Sequence, residues 1–175
     1  MSLPAVVLIE LTPDVVADVA AGDAVFVARH GVRLGEHVAF VRDVVAQSEA
    51  HRARTGAPAV WGGYLTADPA AGAVVGVCAF VGAPSPEGEV EIAYGTIDAF
   101  QGRGYAAASA RALIDIARRS SAVRTVIAHT LPVPNASGRL LQRLGFVRDG
   151  TAEDPDEGTV WRWVLPLGDE TAPTR

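Results

Sequence analysis

The sequence predicts a mixed α/β (α+β) fold, a single domain around a mostly antiparallel central sheet flanked by helices, in the order β-α-α-β-β-β-α-β-α-β-β. Three observations carry this. Helical spacing at Val38, Val41, Val44, Val45 and Ser48 gives way to compact apolar segments, Ala59 to Thr66, Ala73 to Val81 and Glu89 to Ile97. Only short, turn-rich stretches separate those segments, Asp68-Pro69-Ala70-Ala71-Gly72 and Gly82 to Gly88, as in an antiparallel meander. The last segment then feeds a glycine-rich turn, Gln101-Gly102-Arg103-Gly104, which opens an alanine-rich helix ending near Ser120.

The remaining elements follow in order. Val6 to Leu11 is rich in aliphatic and β-branched residues and reads as a first strand. Thr12-Pro13-Asp14 is a helix start: threonine caps, proline suits the first helical position, and aspartate favours the positive end. Val15, Val16, Val19 and Ala20 form its apolar face, and Gly22 ends it. Phe26 to Gly35 reads as a loop, followed by a helix from Glu36 to about Arg54 that Gly56 and Pro58 stop. Beyond the alanine-rich helix, Thr125 to Thr130 is a strand. Pro134-Asn135-Ala136-Ser137 opens a short helix carrying Leu140, Leu141 and Leu144 and ending at Gly145. Phe146 to Asp149 and Thr159 to Leu165 flank the turn-rich Gly150 to Gly158 and close the chain as a hairpin.

Composition narrows the function classes. With 49% hydrophobic and 20% charged residues in a 175-residue chain, a single globular domain over residues 1–167 is expected, with 168–175 a frayed polar tail. The net charge of −5 and the lack of a basic run speak against nucleic acid. No apolar run approaches the roughly 20 residues that span a bilayer, and the first residues lack the pattern of a secretory leader. The lone cysteine, Cys78, lies in an apolar run and reads as a buried hydrophobe, which suits a reducing cytoplasm. The four histidines, His30, His37, His51 and His129, show no metal-ligand spacing, so no metal is assigned.

The glycine turn is where chemistry enters. The first turn of a helix has N–H groups without intrahelical partners, and the macrodipole adds positive potential. Gly102 and Gly104 leave room for an anionic group, typically a phosphate or pyrophosphate, to approach. A plain surface turn is the alternative. Gly102-Arg103-Gly104-Tyr105-Ala106-Ala107 satisfies the dinucleotide pattern G-x-G-x-x-A, but that pattern belongs after a first βαβ strand and needs an acid about 20 residues on. Here a meander precedes it, and the next strand ends at Ala128-His129-Thr130. No Gly-Lys-Ser or Gly-Lys-Thr is present, so a Walker loop is absent as well.

Gln101-Gly102-Arg103-Gly104-Tyr105-Ala106 resembles Q/R-x-x-G-x-G/A, the acyl-CoA pyrophosphate loop of the GNAT N-acetyltransferase superfamily. Asn135-Ala136-Ser137-Gly138-Arg139-Leu140-Leu141-Gln142-Arg143-Leu144-Gly145-Phe146 is similar to the N-A-S-x-R-x-L-x-x-x-G-F helix of its RimJ/RimL-like branch, which holds the ribosomal-protein N-terminal acetyltransferases. Glu91-Ile92-Ala93-Tyr94 resembles the E-I-G-Y of the same branch. The resemblance covers nearly the whole chain and implies the GNAT fold, acetyl-CoA as acyl donor, and a primary amine as acceptor.

It also implies a site. Backbone groups of Gln101, Gly102, Arg103, Gly104, Tyr105, Ala106 and Ala107 are expected to hold the pyrophosphate. The strand around Tyr94, Thr96 and Ile97 is expected to splay from its neighbour and pair with the pantetheine arm, its N–H groups polarising the thioester carbonyl. Arg103 either contacts phosphate or stays solvated. The amine needs a base. Glu91 is the first choice, in competition with Glu89 two residues away on the same strand face. Many family members protonate the leaving thiolate with a tyrosine four residues before the Gly-Phe pair; here that position is Leu141. The branch points instead to Ser137 at the CoA sulfur, the alternative being that Ser137 caps the helix. Asn135 either bonds the pantetheine amide or caps. The acceptor is expected between the first-helix loop, with Arg29, His30 and Arg33, and the final hairpin, with Glu153, Asp154, Asp156 and Glu157. Trp61, Trp161 and Trp163 read as core or sheet-face aromatics, one of them lining the acceptor pocket as the alternative. A protein N-terminus is the favoured acceptor, a small-molecule amine the second, and a non-catalytic acyl-CoA sensor the third reading. A homodimer is a family-level expectation.

Overall fold

The computed structural model describes residues 3–168, so most of the tail expected to fray lies outside the described residues. The chain forms two compact units. The first holds residues up to Ala83 together with Ile92–Leu113; the second holds Pro84–Glu91 and the chain from Ile114 on. Two elements contribute to both, strand β4 (Glu89–Thr96) and helix α4 (Tyr105–Arg118).

In the first unit, β1 (Val7–Glu10), β2 (Gly63–Asp68), β3 (Ala73–Phe80) and the Ile92–Thr96 part of β4 form an antiparallel sheet in that order. The predicted meander is therefore present. Thr12 starts α1 (Pro13–Ala21) as expected, its hydroxyl accepting from Val15 N–H at 3.4 Å with Pro13 and Asp14 in the first turn. Leu11, Val15, Val19, Phe26, Val41, Val45, Leu65, Val74 and Ile97 meet in one core. Every residue of β2 is buried.

Two local readings need correction here, and in the second unit the strand after Phe146 runs on to Asp154 instead of ending at Asp149. The stretch after Gly22 is not a loop but a further helix, α2 (Asp23–His30), ahead of α3 (Val38–Thr55). Phe26 is the only residue it buries, so it lacks the three-and-four repeat that announces a helix. What holds it is polar: buried Asp18 on α1 accepts from Arg29 at 2.7 Å and pairs with His30 at 2.9 Å. The first apolar segment also begins later than expected, because Ala59–Trp61 forms a single 3-10 turn before β2. Gly76 on β3 permits the tight β3–β4 pairing, since a Cβ there would lie 2.4 Å from the Gly95 carbonyl oxygen.

In the second unit, Glu89–Glu91 of β4 runs parallel to β5 (Thr125–Thr130), which is antiparallel to β7 (Gly158–Pro166), itself hairpinned to β6 (Val147–Asp154). Helix α5 (Ala136–Arg143) precedes that hairpin. Gly138 lets it approach β7, where a Cβ would meet the Trp163 ring at 3.1 Å. Trp163 is buried and donates from Nε1 to Thr130 Oγ1 at 3.0 Å, so it is a core aromatic as the sequence suggests. Leu141, in the place of the family's tyrosine, is fully buried in the core. The mixed α/β fold of seven strands and five α-helices among the described residues agrees with the predicted class, with α2 added to the predicted order.

Candidate active site

In the first unit, β4 leads through a one-turn 3-10 helix (Asp98–Phe100) into the glycine turn. Gly102 and Gly104 have φ of 74° and 86°, a left-handed backbone that residues with side chains resist. Ala108 N–H bonds to Gly104 O at 3.0 Å, so α4 starts here. The N–H groups of Gly102, Arg103, Gly104, Tyr105, Ala106 and Ala107 have no hydrogen-bond acceptor among the described residues. A 14-residue helix adds its dipole to this row. Such an array fits the pyrophosphate of a CoA ligand.

The turn is braced by side chains. Tyr105 Oη donates to Asp68 Oδ2 at 2.6 Å, and Asp68 Oδ1 accepts from the N–H groups of Ala70 at 2.8 Å and Ala71 at 3.2 Å. The Tyr105 hydroxyl chiefly, and the two N–H groups after it, hold the Asp68 carboxyl below its ordinary value; the same bond raises Tyr105. One turn on, buried Ser109 donates to Tyr105 O and meets Thr66 Oγ1, both at 2.9 Å. Gln101 donates to Asp98 at 2.8 Å, and the Arg103 guanidinium lies 5.6 Å from the centre of the Phe100 ring. Arg103 has no carboxylate partner among the described residues, which leaves its charge available to phosphate.

Tyr94 and Thr96 pair opposite Cys78 and Gly76 of β3. Ile97 departs from the expectation made for it: its N–H donates to Val75 O at 3.0 Å and its side chain lies in the core. Alternation along β4 then turns the backbone groups of Tyr94 and Thr96 toward the edge away from β3, whereas those of Ile97 face β3.

The second unit holds the charged cluster. Glu91 Oε1 lies 2.8 Å from His129 Nδ1. Glu89, the competing base, receives Arg162 at 2.6 Å, and Arg162 also bridges to Asp149. The two glutamates are thus told apart by their partners: a guanidinium occupies one and an imidazole the other. His129 is not among the site residues that the sequence motifs single out. The available signal is strand parity: Glu91 stands opposite Ile127, and His129 is two residues on, on the same face of β5. Asn135 caps α5, its Oδ1 accepting from Gly138 N–H at 2.8 Å. Ser137 does not cap; it is exposed in the first turn of α5.

The acceptor-side residues are largely engaged. Arg29 and His30 bind Asp18, and the Arg33 backbone bridges to Gly72 and Val74 at 2.9 Å. Asp154 accepts from the N–H groups of Asp156 and Glu157, both at 2.9 Å, which holds it below the ordinary carboxylate value, with nearby His129 a smaller cause. Glu153 accepts from Thr159 at 2.9 Å. No cluster of metal-ligating side chains is found among the described residues, and none of their helices is long and apolar enough to cross a membrane.

A β4 that pairs with β3 and leads into a glycine turn, whose N–H groups have no acceptor among the described residues, is an arrangement suited to an acyl-CoA. The chain belongs to the acetyltransferase (GNAT) domain family, which it matches over residues 6–147. No curated protein sequence matches it. Its fold is similar to RimL, a ribosomal L7/L12 α-N-protein acetyltransferase in complex with coenzyme A (TM-score 0.58, 21% identity, 74% of this chain and 73% of that one). It is also similar to YncA of Salmonella typhimurium with acetyl-CoA (0.58, 20%, 97% of each). A third likeness is the ribosomal-protein-S5-alanine acetyltransferase of Vibrio fischeri (0.61, 15%, 94% and 93%). The protein is an acetyl-CoA-dependent N-acetyltransferase, with acetyl-CoA as co-substrate.

Proposed function

We propose that residues 1–167 form one catalytic domain that acetylates a primary amine by direct attack within a ternary complex, the acceptor being a protein N-terminus. The observation that carries the mechanism is the pairing of the two β4 glutamates. Glu89 is engaged by Arg162, while Glu91 faces an imidazole and its side chain is 28% exposed. Glu91 is the base: it takes a proton from the ammonium form of the acceptor, whose nitrogen then attacks the thioester carbonyl carbon. The C–S bond breaks, the nitrogen gives up its second proton to the departing thiolate to leave an amide and free CoA thiol, and Ser137 is the group at the sulfur. Gln101 through Ala107 hold the pyrophosphate through backbone N–H groups, aided by Arg103, and Tyr94 and Thr96 offer backbone groups to the pantetheine. Asn135 supports Ser137 by capping α5.

The preference for a protein N-terminus draws support from the Asn135–Phe146 motif and from the likeness to RimL. We place the enzyme in the cytoplasm, in keeping with buried, unpaired Cys78, and as a homodimer by analogy with its branch. The test is thiol release from acetyl-CoA against a panel of N-terminal peptides, polyamines and amino acids, with oligomeric state read by light scattering. Turnover of peptides alone supports the proposal. Turnover confined to polyamines or amino acids replaces the acceptor, and CoA binding without turnover of any amine replaces the enzyme with a sensor.

A further inference from the structure

His129 has a place in this chemistry that neither the family match nor the fold assigns. Its Nδ1 reaches Glu91 Oε1 at 2.8 Å, while its Nε2 is enclosed and has no hydrogen-bond partner among the described residues. The hydrogen-bond network assigns the tautomer. A proton on Nε2 would bury a donor without an acceptor and leave a bare nitrogen against a carboxylate. A proton on Nδ1 donates to Glu91 and leaves only an unused lone pair inside. The other charged groups around the ring are committed elsewhere. Arg162, opposite His129 on β7, is held by Glu89 and Asp149. Asp154 on β6 is held by the N–H groups of its own turn.

We propose that His129 is a positioning residue for Glu91: its Nδ1–H fixes Oε1 and leaves Oε2 as the oxygen that takes the acceptor's proton. The proposal rests on Glu91 being the base. In the step itself one proton passes from the ammonium group to Glu91 Oε2 and afterwards to solvent. His129 keeps its own proton throughout and acts only through the carboxylate. Without that bond the carboxylate rotates freely, and its basic oxygen is no longer held where the amine must meet it.

Protein labelled with 15N-histidine reads the tautomer directly through two-bond 1H–15N correlations, with His129 assigned from the signal lost in H129N. A proton on Nδ1 is expected in the wild type, and its preference for that nitrogen is expected to vanish in E91A. A wild-type ring with no proton on Nδ1 would overturn the proposal. Kinetics supply the second arm, by thiol release with acetyl-CoA and an N-terminal-serine peptide or spermidine. H129N, whose amide N–H takes the place of Nδ1–H, should keep kcat within about threefold, whereas H129A should lose roughly tenfold or more with KM for acetyl-CoA unchanged. Equal losses in the two variants would sink it. Unchanged kcat in E91Q would instead remove Glu91 as the base and leave the tautomer result standing. If neither amine turns over, the spectrum decides alone.

Discussion

The glycine turn of the first unit and the charged cluster of the second act through different parts of the chain. In the proposed function, the backbone is the functional group at the turn. Its N–H row exists because Gly102 and Gly104 adopt positive φ and because α4 starts at once, and side chains such as Tyr105 and Asp68 only brace it. In the cluster the backbone is ordinary strand, and what sets it apart is which side chain stands beside which: Glu91 with His129, Glu89 with Arg162. A backbone site tolerates changes of identity wherever the geometry survives. A side-chain site fails when one group is exchanged, even if nothing moves.

The largest expected effect follows directly. Glu91→Gln should lower kcat by roughly 10²–10⁴-fold, the range for a positioned base, with KM for acetyl-CoA unaffected. Glu89→Gln should cost far less, because Arg162 keeps Asp149. Equal losses measured by thiol release would erase the distinction between the two glutamates. Next comes Gly104→Glu, whose Cβ, on a backbone at φ 86°, would press on the Pro4 ring at 3.2 Å and distort the turn. CoA binding by calorimetry should weaken by roughly 100-fold, about 2.7 kcal/mol. An unchanged affinity would take the turn out of the site.

A smaller effect tests the brace. Tyr105→Phe removes the donor to a buried carboxylate and should cost about 1–3 kcal/mol of stability in denaturant melts. The pH dependence has a definite sign. Asp68 is lowered in the folded state, so its stabilisation is complete above the ordinary carboxylate value and is lost as pH falls through the lower folded value. Tyr105 is raised, so its share is complete below the ordinary phenol value and is lost as pH rises through the higher folded one. The brace should therefore hold across the neutral range, and Tyr105→Phe should flatten both limbs of the stability profile. The smallest effect is a silence. Burial pushes the Cys78 thiol up to about 12, so a disulfide reagent at mildly alkaline pH should find it only after denaturation. Rapid labelling of the folded protein would contradict that burial.

The same contrast explains what was legible beforehand. Glycine announces its own backbone geometry, so the turn, its helix and the antiparallel meander could all be read from residue order. Thr12-Pro13-Asp14 and Asn135 declare helix starts for the same reason: capping is local. Helix α2 was hidden because its tie is an ion pair to Asp18, 11 residues before Arg29, rather than an apolar repeat. The Glu91–His129 contact spans 38 residues and depends on a parallel strand register that no local pattern encodes. Ile97 differs from its expectation by one step of strand alternation, which decides the side on which a backbone N–H points.

The second glycine of the turn has one further neighbour. A Cβ on Gly104 would come within 3.2 Å of the Pro4 ring and 3.6 Å of Leu3. Leu3 and Pro4 thus back the turn at Gly104, and proline is a stiff backing. A loop preorganised in this way gives up little conformational freedom when it closes on a ligand. A change at Leu3 or Pro4 should then be felt through the shape of the turn, as a weaker grip on CoA if the turn holds its phosphates.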